Sequence, residues 1–178
     1  HHPELIIVEF LDDQDRPVPE GELGELTVTT LGVEGMPLLR FKTGDVCRKY
    51  TAPCPCGRNT LRIGPVVGRK NQMIKYKGTT LYPPALYDIL DNIDYISNYI
   101  VEVYTNAIGT DEILIHVSGK GIGEEKEKDI KDHFRAKLRV APLITFTSET
   151  TIQKMLYPEI SRKPLKFIDN REKNGNFH

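Results

Sequence analysis

Near residue 70 the sequence changes its period, and that change limits what the chain can fold into. Before it, Gly21, Gly24, Gly32, Gly35, Gly44, Gly57, Gly64 and Gly68 punctuate short runs. Frequent glycines work against helices, whereas short β-branched and apolar runs between turns read as strands. Four such runs are expected as strands: Leu5–Phe10, Glu25–Thr30, Leu38–Phe41 and Leu61–Val67. After residue 70 a strand is expected over Met73–Tyr76, and Pro83-Pro84 opens a helix, because first-turn amides need no partner. Leu86, Ile89, Leu90 and Ile93 give that helix one apolar stripe. Strands over Tyr99–Tyr104 and Glu112–Ser118 follow, then a charged helix over Glu124–Leu138 buried along Ile130, Phe134 and Leu138. A last strand over Leu143–Thr147 leads into a polar tail. The expected class is α+β. Residues 1–70 form a small β-rich subdomain, and residues 71–178 form a compact βαββαβ domain whose helices cover one face of the sheet.

Composition narrows the function. The chain has 178 residues, with 24 basic and 25 acidic side chains and a formal charge of -1. So even a balance gives no dominant pull toward nucleic acid or anionic lipid, and neither is expected as a partner. No apolar run approaches the roughly 20 residues that a helical membrane span needs. No charged-then-apolar leader is visible, and the 3 cysteines are an odd count. Together these favour a reducing, cytoplasmic setting over a disulfide scaffold. The sequence opens His1-His2 without an initiator Met, which suggests a piece of a longer polypeptide.

Five segments bear on chemistry. Thr43-Gly44-Asp45 is expected to end a strand and set a carboxylate on a tight turn. An ionised Asp offers only acceptors, which suits paired ribose hydroxyls; a turn Asp bonding its own backbone is the plainer alternative. Gly68-Arg69-Lys70-Asn71-Gln72 lies where the pattern changes, as an interdomain hinge or as an ordinary turn with Arg69 solvated. Cys54-Pro55-Cys56 is half of a tetrahedral zinc site, with Cys47 the nearby third candidate, or else a tight turn with two reduced thiols. Gly119-Lys120-Gly121-Ile122-Gly123 invites a phosphate-loop reading. It lacks the required spacing, and Glu124 and Glu125 behind it would repel phosphate, so it reads as a loop. Ser161-Arg162-Lys163-Pro164-Leu165-Lys166 could bring an ammonium to a phosphate from a mobile tail, or be a solvated basic cluster.

Taken in order, these segments resemble the C-terminal third of the phenylacetate-CoA ligases, within the adenylate-forming superfamily. The resemblance runs through Gly21–Thr30, Arg40-Phe41-Lys42-Thr43-Gly44-Asp45, Pro53-Cys54-Pro55-Cys56-Gly57-Arg58 and Arg62-Ile63-Gly64. It continues through Gly68-Arg69, Gly78, Tyr82-Pro83 and Ile168-Asp169-Asn170-Arg171. It implies a two-step ligase, in which ATP and an aryl acid give an acyl-adenylate that coenzyme A then captures. Asp45 and Arg69 would hold the ribose. Lys163, with Lys166 as second candidate, would be the adenylation lysine. Gly78 would face the coenzyme A channel, and Asn71 would be the hinge. Mg2+ is implied with ATP.

The hinge usually carries an Asp pair, where this chain has Asn71-Gln72, and the lysine usually follows Gly, where Arg162 stands here. The family's phosphate loop, its acyl pocket and the partner ligands of Cys54 and Cys56 belong to a part preceding residue 1. Zinc would therefore be incompletely held. The fragment alone is expected to be inactive, its partner being the missing N-terminal part of the same chain, and an apolar face uncovered by truncation is a route to homo-oligomers. Other aryl-acid ligases, deazaflavin-cofactor ligases and a non-catalytic nucleotide- or partner-binding module are the alternatives.

Overall fold

The computed structural model describes residues 2–158 and 163–171. Two compact units divide at residues 72 and 73. In the first, β1 (Ile6–Leu11), β2 (Leu23–Thr30), β3 (Phe41–Tyr50), β4 (Arg62–Ile63) and β5 (Gly68–Arg69) form one antiparallel sheet, ending in a 3-10 turn over Lys70–Gln72. β3 is its spine, pairing with β2, β4 and β5. Phe10, Val18 and Cys47 make the small core, with Val8, Leu26 and Leu61 packed against it.

Two strand expectations need correction here. Residues 38–40 lie in a loop, and the strand starts only at Phe41. Its continuation past Thr-Gly-Asp depends on a bulge, described below. Of the expected Leu61–Val67 strand only Arg62–Ile63 pairs, as β4; the ladder breaks at Gly64-Pro65 and resumes beyond Val67 as β5. Proline has no amide to give to a ladder, so pairing stops and restarts.

The second unit opens with a hairpin of β6 (Ile74–Tyr76) and β7 (Thr79–Leu81), joined by Lys77-Gly78. Both turn residues have positive φ, 48° and 79°, as a two-residue type I′ turn requires. There follow α1 (Pro83–Leu90), β8 (Ile96–Thr105), β9 (Asp111–Gly119), α2 (Glu124–Leu138), β10 (Leu143–Phe146), α3 (Glu149–Leu156) and β11 (Phe167–Asp169). The sheet order is β10-β9-β8-β11, with β8 and β9 antiparallel and each outer strand parallel to its neighbour.

The α+β class and the βαββαβ order hold, with β7, α3 and β11 added. The expectation that helices cover one face does not hold. Strand alternation sends Tyr99, Val101 and Val103 of β8 into the large core with Leu86, Ile89, Ile130 and Phe134. Ile100 points the other way and packs with Ile152 and Leu156 of α3. Among the described residues the polar tail thus holds a helix and a strand. Ser148 caps α3, accepting a hydrogen bond from the Thr151 amide at 3.2 Å.

Phe134 is fully buried where α2 meets the sheet. Truncation there leaves a cavity, so Phe134→Ala is expected to lose about 3–5 kcal/mol in urea unfolding. A loss below about 1 kcal/mol, the size of an ordinary surface change, would mean that α2 does not pack as described.

Candidate functional site

Asp45 and Arg69 come together in the first unit. Opposite one residue of β2, Leu26, β3 places three, Thr43, Gly44 and Asp45, because the register shifts between Glu25–Val46 and Thr27–Lys42. Gly44 takes φ +77°, a conformation costly for a residue with a Cβ. The Thr43 hydroxyl donates to the Leu26 carbonyl at 2.9 Å and accepts from the Asp45 amide at 3.1 Å. Thr-Gly-Asp therefore does not end the strand, as the sequence suggested; it bulges it, and β3 runs on.

Past the bulge, Asp45 stands opposite Arg69 of β5, with Arg69 Nε 3.3 Å from Asp45 Oδ1. Their side chains are 27% and 63% exposed, so this is a half-solvated pair worth less than about 1 kcal/mol. A weak pair suits a ligand site, since hydroxyls can enter it without breaking a strong bond.

Lys70 follows directly, its Nζ 2.9 Å from Glu25 Oε2 and 3.0 Å from Asp13 Oδ1. The hydrogen bond to Glu25 raises the lysine's pKa, chiefly against the opposing effect of burial. Sequence reasoning missed this clamp. Its signal was Glu25, a charge at a buried position of β2 between Leu23 and Thr27.

Cys54 and Cys56 lie on a turn closed by the Gly57 amide donating to the Cys54 carbonyl, and their sulfurs are 3.0 Å apart. The Cys56 thiol holds the pKa of Cys54 below the usual range, with Arg62 and Arg58 adding to the effect. A cavity of about 410 Å³ beside them is lined by His2, Glu4, Arg58 and Arg62 among others. Cys47, the expected third ligand, is instead in the apolar core, where burial pushes its thiol up. Among the described residues no group of three or more His, Cys, Asp or Glu could hold a metal ion, so neither zinc nor Mg2+ is given a ligand set here. His1 lies outside the described residues.

The remaining candidates belong to the second unit. Gly78 is exposed at the hairpin tip, with nothing within 4 Å of where a side chain would stand. The hairpin is anchored by buried Tyr76, whose hydroxyl donates to the Ala141 carbonyl at 2.9 Å. Asn71 is exposed in the 3-10 turn that closes the first unit.

The two tail lysines differ. Ser161 and Arg162 lie outside the described residues; Lys163 is exposed. Lys166 is held by aromatic rings, its Nζ 4.3 Å from the Tyr99 ring centre and 5.8 Å from that of Tyr87. It also donates to the Tyr99 hydroxyl at 2.9 Å, and that hydroxyl donates to Asp91 at 2.7 Å. Burial pushes the Tyr87 phenol up to about 12, and burial followed by the Asp91 carboxylate pushes Tyr99 higher still.

The segment is not a loose tail. The Val101 amide donates to the Lys166 carbonyl at 2.9 Å, and β11 runs along β8. Arg171 then grips both Asp169 oxygens, at 2.8 and 2.7 Å, and donates to the Met73 carbonyl at 2.6 Å. Neither the ring cage nor this anchor was legible in advance, because both join residues far apart in the sequence.

Solved structures of adenylate-forming enzymes share this fold. A 2-hydroxyisobutyryl-CoA ligase in its postadenylation state superposes with a TM-score of 0.73 over 95% of this chain and 37% of that one, at 23% identity. The amide bond synthetase McbA from Marinactinospora thermotolerans gives 0.54 over 80% of this chain and 30% of that one, at 18% identity. The fold is that of the C-terminal part of such ligases.

Sequence similarity then points within that class, to the phenylacetate-coenzyme A ligases. The Thermus thermophilus ligase is 42% identical over 78 residues, 44% of this chain and 18% of its own length. That of Pseudomonas putida is 31% identical over 101 residues, 56% of this chain and 22% of its own. The chain thus spans about a fifth of the curated relatives it matches. No family model matches it.

A metal prediction follows from the cysteine geometry. Two thiolates fill half of a tetrahedral site, so protein prepared without chelator is expected to carry less than one equivalent of zinc by elemental analysis. One tightly bound equivalent would show that the chain supplies further ligands.

Proposed function

We propose that this chain is the C-terminal portion of an AMP-forming acid–thiol ligase. The parent enzyme activates phenylacetate or a related aryl acid with ATP and transfers the acyl group to coenzyme A. The observation that carries the reading is the Asp45–Arg69 pair. The family resemblance gives both residues to the ribose, and they stand on adjacent strands at 3.3 Å.

On this reading the Asp45 carboxylate accepts from the ribose hydroxyls and Arg69 steadies it. The aryl carboxylate attacks the α-phosphorus and pyrophosphate leaves. The thiol of coenzyme A then attacks the acyl carbon, forming the thioester and expelling AMP. Lys163 places its ammonium where negative charge builds in the first step only. Counting back from Ile168-Asp169-Asn170-Arg171 along the family resemblance gives that role to Lys163, with Lys166 the second candidate. Gly78, with no side chain on an open tip, leaves room for the pantetheine arm. Asn71, in the turn at the unit boundary, is the hinge residue of the reading. Mg2+ would enter with the triphosphate. The sequence similarity to phenylacetate-coenzyme A ligases supports the aryl acid, and the phosphate loop and acyl pocket would come from the upstream part, so the fragment alone is inactive.

The test is half-reaction kinetics in the enzyme carrying its upstream part. Lys163→Ala should slow acyl-adenylate formation by roughly 10²–10³, or about 3–4 kcal/mol. It should leave thioester formation from supplied acyl-adenylate within a few-fold. Equal loss in both steps, or an adenylation defect in Lys166→Ala alone, would overturn the assignment of Lys163.

A further inference from the structure

Glu25 of β2 pairs with Val46 of β3, and Val46 pairs with Gly68 of β5, so these three residues form one row across the sheet. Asp45 and Arg69 form the next row, and alternation puts their side chains on the opposite face. Lys70, one residue further, is on the Glu25 side again. Its ammonium reaches over β3 to a carboxylate only 8% exposed, while its second partner, Asp13, is 81% exposed. The Glu25 contact is therefore the one that counts: a buried carboxylate is stable as a charge only if paired, and screening is weak at that depth.

This clamp sits where the ladder is thinnest. β5 is two residues long, and Arg69 is its last. Beyond it the chain enters the 3-10 turn, whose Asn71 and Gln72 carry no charge, and there the unit ends. We infer that Lys70 is a positioning residue: by gripping Glu25 across β3 it holds Arg69 opposite Asp45 and fixes the point at which the chain leaves the first unit. The inference rests on the reading of Asp45 and Arg69 as the ribose pair. Lys70 touches no substrate in this account; it acts through Arg69.

Stability and positioning are separated by removing one or both charges. Lys70→Met strands the buried Glu25 carboxylate and is expected to lower the Tm. Lys70→Met combined with Glu25→Gln removes both charges and should recover most of that loss, as buried pairs do when replaced together. In that double variant of the full enzyme, the KM for ATP in adenylation should stay about tenfold raised with kcat little changed, the size of one weak oriented contact. Hydrogen exchange at the Gly68 and Arg69 amides should also stay faster than in the wild type, and Lys70→Arg should restore both.

A double variant whose Tm, KM and exchange all return to wild type would overturn the inference, leaving the pair a stabilising contact only. Asp45→Ala separates the two claims. If it leaves the KM for ATP unchanged, the ribose reading fails, and the clamp is then decided by exchange at Gly68 and Arg69 alone.

Discussion

The bulge in β3 is the constraint on which the first unit turns. β3 carries β2 on one side and β4 and β5 along the other, so its course decides which residues meet. Two extra residues inserted opposite Leu26 reset the strand's register. The insertion is possible because Gly44 accepts a left-handed backbone, and Thr43 satisfies both a carbonyl and an amide that the broken ladder leaves over. On the strand's other edge Asp45 stands opposite Arg69. A bulge that re-aims one side chain while the strand continues is a common device beside functional sites.

The second unit solves a different problem, which is how to bury a sheet on two faces with few residues. β8 does so by strict alternation, sending Val101 and Val103 to α1 and α2, and Ile100 to α3. The cover on the second face also fixes the tail. The Leu165 amide donates to the Leu156 carbonyl at 2.7 Å at the end of α3, Lys166 sits among tyrosines, and Arg171 returns to Met73, just before the first strand of the unit. The segment from Leu165 to Arg171 is thus strapped to its own unit.

What the sequence made legible depended on the range of the forces. The Glu124–Leu138 helix was readable to the residue, because acidic residues lead it, basic residues close it, and Ile130 and Phe134 mark its face. The two compact units divide between Gln72 and Met73. β11 overlaps the Ile168-Asp169-Asn170-Arg171 stretch yet has no strand signature of its own, since three residues have no period and owe their conformation to β8. α3 showed only Ile152, Met155 and Leu156 as a stripe, too short to separate from a polar tail. At the site, Asp45 and Arg69 were identified singly, by resemblance. Their pairing is a register between β3 and β5 that local propensity does not encode, and Lys70 escaped notice because its partner Glu25 lies on another strand.

The central claim, that the Asp45 carboxylate exists to hold ribose hydroxyls, is tested most directly by binding. The affinity of the full enzyme for ATP can be compared with that for 2′,3′-dideoxy-ATP, in the wild type and in Asp45→Ala. Hydrogen bonds to a charged group are worth roughly ten- to hundredfold in affinity, so the wild type should prefer ATP by about that factor. The account predicts that Asp45→Ala binds the two nucleotides equally. The same preference in both proteins would contradict it.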